Sequence, residues 1–455
     1  MNSQSSSPTA NGGRDHALIT IAATTNIQTT PLDQRIQETR WLLHPLAGKE
    51  SCCIFKVRQC LAEINKTTYQ PHIVSCGPYH HGDQHLEMIQ QHKWKYLRGL
   101  LARTPSNGPT LDHYQQVVAA KEADIRGCYS ETLSLSSDDL VQMMVLDGLF
   151  TIELFCRLEG LSLGDEYEHD PLFKLKFIFS NIIGDLFRFE NQIPFFVLQD
   201  LFDESKPSRA YSDKSLAELA LTFFNHAFER PDQVLDQNSS AAGEVKHLLD
   251  LLRWSFIPNH SPREEPVQPI ELIQSAKKLR LAGIKFKTRE AVSFLDVTFC
   301  NGLLEIPHIV LDDLCTDLLM NFVAFEQCYT HRSKHFTTYA AFMSCLIRTP
   351  ADVSFLCDKN IVENYLGTDE EVVHFFQNLG KDVPLDIGEG YLWKLFKDVN
   401  EYHRSMWHVR WEGFRSKYFN TPWSFSSALA AVILLLLTEI QTSFAVYGYF
   451  RPPKP

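Results

Sequence analysis

The sequence has no cluster of lysine and arginine, no paired-cysteine motif and no nucleotide-binding or catalytic signature, and each gap removes a class of function. Its 43 Lys and Arg stand against 55 Asp and Glu, a formal net charge of -12. Phosphate backbones are bound by clustered cations, so nucleic acid is not expected as a partner. The 11 cysteines are odd in number and scattered, with only Cys52 and Cys53 adjacent. Without a CxxC pair they indicate neither a zinc site nor a disulfide framework, and free thiols in a reducing compartment are the simpler reading. Asn-x-Ser/Thr triplets at Asn65, Asn238 and Asn259 keep an exported domain as the alternative. No P-loop, GxGxxG fingerprint, GxSxG elbow, HExxH or EF-hand loop occurs, and no cofactor is indicated. A secretory signal is not expected either. Met1 to Arg14 lacks a cationic start, and the apolar stretch Ala17 to Ala23 is short and broken by Thr20. Residues 1–36 read as a disordered tail.

What is present is an ordinary globular balance: 44% hydrophobic and 22% charged residues over 455 positions. Phe occurs 31 times, so an aromatic core is expected. One stretch alone has membrane length, Phe425 to Phe450, built around the ten-residue run Ala428 to Leu437. About 20 helical residues cross a bilayer core. Trp423, Tyr447 and Tyr449 suit the two interfaces, Pro422 suits a first helical turn, and Pro452 and Pro453 stop the helix. Glu439 and Gln441 fall inside this span as intramembrane polar residues, and a carboxylate there costs roughly 2.5–3.5 kcal/mol on insertion scales. A buried terminal helix is the competing reading. Arg404, Arg410, Arg415 and Lys417 precede the span, whereas only Arg451 and Lys454 follow it. That asymmetry favours a cytosolic main domain on a C-terminal anchor, residues 421–455.

The main domain is expected over 37–420, mainly α, with loops at Thr104–Asp112, Lys206–Asp213 and Asp236–Gly243 and a linker at 258–269. Asp83 is placed to cap a helix with Leu86, Ile89, Leu97, Leu100 and Leu101 on one side. Ser137 precedes the apolar positions Leu140, Met143, Met144 and Leu146. Thr368 and Glu371 form a capping box ahead of Val372, Phe375, Phe376 and Leu379, with Gly380 as the stop. Ile284 to Phe286, Phe294 to Phe299 and Leu303 to Ile306 read as strands of a small antiparallel sheet. Asn301-Gly302 signals a type I′ hairpin between the last two.

Four features carry the available chemistry. His80, His81, His85 and His92 crowd the segment after Gly77-Pro78-Tyr79. They are weak metal or acid–base candidates, or caps and turns fixed by Gly77, Pro78 and Gly82. Glu190, Asn191 and Gln192 lie between apolar runs, as bonds to helix ends or as a pocket. Asp147 is a lone acid in Met143–Phe150, either a core acceptor or a perturbed functional carboxylate. Cys328 and His331 are a nucleophile–base pair by spacing alone.

These segments resemble a large plant family named only as domain of unknown function 247, from about Cys52 to Phe450. The resemblance rests on CCIFKVRQCL…VSCGPYHHG, HKWKYL, MMVLDGLF, FENQIPFFVL, SAKKLRLAGIKF, FLDVTFCNGLLEIP, NFVAFEQC and FMSCLIRTPADVSFL, in that order. Arg58 and Cys76 depart from it, standing where Pro and an aliphatic residue are usual. The resemblance implies no known enzymatic activity and a C-terminal membrane helix, and some grass members are implicated as male-side determinants of pollen self-incompatibility. A non-enzymatic, membrane-tethered protein that recognises an unknown protein partner is therefore expected. An enzyme with a site near Asp147, Glu190 and His80–His92 is the alternative. The partner, the membrane and the oligomeric state are not legible.

Overall fold

Ser136 starts the helix around which the first half of the chain is built. Its hydroxyl accepts the Asp139 N–H at 3.2 Å, and Ser137, which precedes the apolar positions, is the first helical residue. The helix α4 runs Ser137–Leu158, and from Met143 to Arg157 every side chain is buried. A helix apolar all round needs neighbours on all sides. These are α1 (Glu87–Arg103), α2 (Leu111–Ala119), α7 (Phe195–Glu204) and α8 (Leu216–Phe228). The short α3 (Glu122–Gly127) leads into α4, and α5 (Pro171–Lys174) leads into α6 (Lys176–Phe187). The computed structural model describes residues 43–57, 66–161, 170–206, 213–231, 245–258, 271–329, 331, 333–379, 390–404 and 422–450. The tail 1–36, the loop 236–243, Gly380, and 259–269 of the linker lie outside these residues.

The second half packs on α11 (Asp313–Cys328), which meets α6, α9 (Leu248–Phe256), α12 (His335–Leu346) and α14 (Asp369–Leu379). The helices α10 (Ala276–Leu281), α13 (Pro350–Asp358) and α15 (Trp393–Arg404) complete this half. The core is aromatic, as the Phe content implies. Phe256, Phe294, Phe322 and Phe336 form one such cluster, the Phe322 and Phe336 centroids 4.2 Å apart. The capping box is present: Thr368 N–H donates to Glu371 Oε2 at 2.7 Å, and Glu371 N–H to Thr368 Oγ1 at 3.3 Å.

The sheet differs from the antiparallel one expected: it is mixed. Strands β1 (Lys285–Arg289), β2 (Thr298–Cys300) and β3 (Leu303–Pro307) take the order β1-β3-β2. β2 and β3 form the predicted hairpin, with Asn301 at φ 51 and Gly302 at φ 79, the left-handed pair of a type I′ turn. β1, however, joins the far edge of β3 in parallel, Phe286 opposite Leu304. A further pair, β4 (Ile309–Leu311) and β5 (Val362–Asn364), is also parallel. Alternation within a strand records which face is buried, not which neighbour it pairs with. Of the expected strand Phe294 to Phe299 only Thr298 and Phe299 are in β2, and the Phe294 ring packs in the aromatic cluster.

The C-terminal segment is one α-helix, α16, Pro422–Phe450. Leu434, Leu435 and Phe444 on it are 64%, 71% and 73% exposed. Among the described residues no single helix is long and apolar enough to cross a membrane, and the apolar part described is Leu429–Phe444.

Candidate functional site

An irregular segment, Lys66 to Asp83, is bonded by side chains of α1, α4, α6 and α11 and has little regular structure beyond two single turns. Its main-chain groups are buried and must find partners, each orphan costing about 1–3 kcal/mol. Side chains from the surrounding helices supply them. Asp185 of α6 accepts three consecutive N–H groups: His72 at 2.8 Å, Ile73 at 2.7 Å and Val74 at 2.8 Å. Asn191 accepts Cys76 N–H at 2.6 Å and donates to the carbonyls of Val74 and Asp185, both at 2.9 Å. Asp147 of α4 accepts Gly77 N–H at 2.9 Å. Lys93 of α1 donates to Asp147 Oδ1 and to Ser75 O, each at 2.6 Å. The Lys93 and Asp147 side chains are each 1% exposed.

The lower end of the segment is held in the same way. Arg188 donates to Thr67 O at 2.8 Å and to Thr68 O, and pairs with Asp185 at 3.1 Å and Asp317 at 3.2 Å. Burial pushes the Asp317 carboxyl up, against the pull of Arg188. Asn321 donates to Thr68 O at 3.1 Å and accepts Phe189 N–H at 2.8 Å. Gly77 stands at φ 92, and a Cβ there would sit 2.4 Å from the Gln192 carbonyl. Only glycine fits that turn.

Glu190 accepts Val57 N–H at 2.7 Å and lies 3.4 Å from His80 Nε2, whose Nδ1 is 3.3 Å from Asp83. Gln192 donates to the carbonyls of Leu186 and Arg188, both at 2.8 Å, and accepts Leu249 N–H at 3.1 Å. Asp147, Glu190 and Asn191 are thus brought together around one segment, and Gln192 ties that segment's neighbour to α9. The histidines separate: His80 is buried, while His81 and His85 are exposed. His85 Nε2 lies 3.1 Å from Pro71 O. Among the described residues no three His, Cys, Asp or Glu side chains are placed to hold a metal. Cys328 ends α11, and the His331 ring lies 5.5 Å from that of Tyr329. Cys76 is 2% exposed, and burial pushes its thiol up to about 12. It fills the space of the usual aliphatic residue as a small apolar group. Arg58 lies outside the described residues.

Several partners escaped the sequence reading. Asp185 in Ile182-Ile183-Gly184-Asp185-Leu186-Phe187 and Glu326 in Val323-Ala324-Phe325-Glu326 show the same signal as Asp147, an acid within an apolar run. Glu326, fully buried, pairs with Arg253 at 2.8 Å and accepts Thr337 N–H at 2.8 Å. Lys93 had no such signal, because a lone lysine on a helix ordinarily faces solvent. A cleft of 490 Å³ lies elsewhere, between α2 and the start of α4, lined by Asp112, Gln116, Glu122, Ser137, Asp138 and Gln142. None of His80, His81, His85, Asp147, Glu190, Asn191 and Gln192 lines it.

Fold and site together define a mainly helical protein in which buried side chains bolt down an internal segment. The chain belongs to the plant family of domain of unknown function 247, described as a plant protein of unknown function, whose model matches residues 54–437. It is 38% identical to UPF0481 protein At3g47200 of Arabidopsis thaliana over 437 residues, 91% of this chain and 90% of that protein. It is 24% identical to a second UPF0481 protein of that species, At3g02645, over 524 residues, 91% of this chain and 96% of that protein. No solved structure matches the chain.

Proposed function

We propose that this protein is a non-enzymatic recognition or signalling protein, tethered to a membrane by α16, whose helical body presents surface loops to a protein partner. One observation carries this reading. The polar groups that a catalytic site would need are spent on main-chain amides. Asp185 accepts three N–H groups and a guanidinium, and Asp147 accepts an ammonium and an N–H. Carboxylates engaged in this way brace a backbone and are poor proton carriers. The described apolar part, Leu429–Phe444, falls short of a span by itself, and the tether is proposed from the apolar run Ala428 to Leu437 and from the exposure of its leucines. A helix of 29 residues is about 43 Å long, against a hydrocarbon core of about 30 Å. Its exposed leucines have no aqueous reason to face outward in a row. The flanking charges favour a body in the cytosol.

Proximity labelling of the intact protein, beside a copy truncated after Asn420, tests the tether and the compartment together. Membrane-proximal cytosolic neighbours are expected for the intact chain and are lost on truncation; identical neighbours for both refute the tether. Glu439→Leu should make insertion more favourable by about 3 kcal/mol in a helix-insertion assay, and no change would show that residue 439 never enters the bilayer. A fold-preserving change at His80 or Glu190 that abolishes a chemical turnover would sink the scaffold reading. The process put forward for test is pollen recognition, in which some grass members of the family are implicated. An unaltered pattern of compatible crosses in a loss-of-function line refutes it.

A further inference from the structure

Three cysteines meet where the segment Leu43–Val57 runs beside the turn that follows α3. Cys53 N–H and Ile54 N–H both donate to the Cys128 carbonyl, at 3.0 and 2.9 Å, and Ser130 N–H donates back to Ile54 O at 2.9 Å. Ile54 and Tyr129 form a parallel bridge at the same place. Cys52 is fully buried, Cys53 is 1% exposed and Cys128 is 7% exposed. With ordinary bond lengths, a direct hydrogen bond between two residues keeps their Cα atoms within about 7 Å. Disulfides need about 4.4–6.8 Å. The main-chain bonds from Cys53 and Ile54 to Cys128 therefore set two buried cysteines side by side, with Cys52 next in sequence. The neighbouring Cys128 and burial hold the Cys53 thiol well above its ordinary range. Cys128 is the more exposed residue of the two, at 7% against 1%. Joining Cys52 to Cys53 instead would close a strained eight-membered ring around a peptide bond.

We propose that Cys53 and Cys128 are an oxidisable dithiol, which a hydroperoxide closes to a disulfide that fastens Leu43–Val57 to the helical body. The Cys128 thiolate attacks the distal oxygen of R–O–OH; the O–O bond breaks, Cys128 becomes a sulfenic acid and R–OH leaves with the proton. Cys53 Sγ then attacks the Cys128 sulfur. The S–S bond forms, the S–O bond breaks, and the hydroxide departs as water with the Cys53 proton. Two thiols lose two electrons and the peroxide gains them.

The bridge closes a loop of about 75 residues, so it constrains the unfolded chain strongly. The intact protein is treated with hydrogen peroxide, its free thiols are alkylated, and the unreduced peptides are read by mass spectrometry. A Cys53–Cys128 linked peptide is expected in the wild type and in Cys52→Ser, and is lost in Cys53→Ser and Cys128→Ser. The wild-type Tm should rise by roughly 5 °C on oxidation and fall back with dithiothreitol. The wild-type linkage is read directly, so a serine variant that fails to fold does not obscure it. Recovery of Cys53 and Cys128 as separate alkylated or over-oxidised residues, or a bridge through Cys52, overturns the proposal.

Discussion

Asp147→Asn exchanges one carboxylate oxygen for an amide NH2, and the surroundings determine the cost. Both acceptor positions of Asp147 face donors: Lys93 Nζ at 2.6 Å on one oxygen and Gly77 N–H at 2.9 Å on the other. Whichever way the new amide turns, its NH2 points at a donor. Lys93 meanwhile loses its counter-charge while 1% exposed and keeps the Ser75 carbonyl at 2.6 Å. Breaking a buried ion pair from one side costs about 3–5 kcal/mol, against a total domain stability of about 5–15 kcal/mol. Lys93→Met breaks the same pair from the other side at a similar cost. The double variant removes both charges, so its loss should fall short of the sum by at least about 2 kcal/mol. Urea unfolding of the full chain at fixed detergent concentration, followed by tryptophan fluorescence and far-UV circular dichroism, measures all four proteins. The reasoning fails if Asp147→Asn costs less than about 1 kcal/mol, or if the two single losses add to within about 0.5 kcal/mol.

Two further outcomes follow from geometry already described. Gly77→Ala must strain a positive-φ turn and push against the Gln192 carbonyl; a loss of about 2–4 kcal/mol is expected in the same assay, and less than about 1 kcal/mol contradicts the packing. His335 is held down to about 4 by burial, with the Arg253 charge adding to the effect, whereas an unfolded histidine titrates near ~6.5. Between these values the unfolded chain binds the extra proton. The contribution of neutral His335 is therefore complete above about pH 6.5 and is lost as pH falls through about 4, by about 3 kcal/mol in all. A stability–pH curve should flatten in this window for His335→Phe, and an unchanged slope refutes the assignment.

Signals written within one turn were legible. The Thr368–Glu371 box and the Asn301-Gly302 turn both stand where local chemistry placed them. The helical class followed from apolar periodicity. Burial of Asp147, Asn191 and Gln192 was legible too, from polar residues set in apolar runs. Their partners were not. Val57 lies 133 positions from Glu190, and Cys76 lies 115 from Asn191. In each case the partner is a main-chain N–H, a group identical at every non-proline position that leaves no trace in a residue code. The parallel pairing of β1 with β3 was hidden for the same reason, since a strand's alternation does not name its neighbour.

That anonymity shapes how the molecule tolerates change. The segment Lys66 to Asp83 is gripped largely by its peptide groups, while Thr68, Tyr69, Val74, Cys76 and His80 are buried, so the side chains free to vary are the exposed ones. Gln70 and His81 are exposed on this path. Substitutions at these positions redecorate the surface and leave the frame in place, while a change at Asp185 or Asn191 breaks the frame. At its exposed positions this stretch of chain can change identity while its geometry stays fixed.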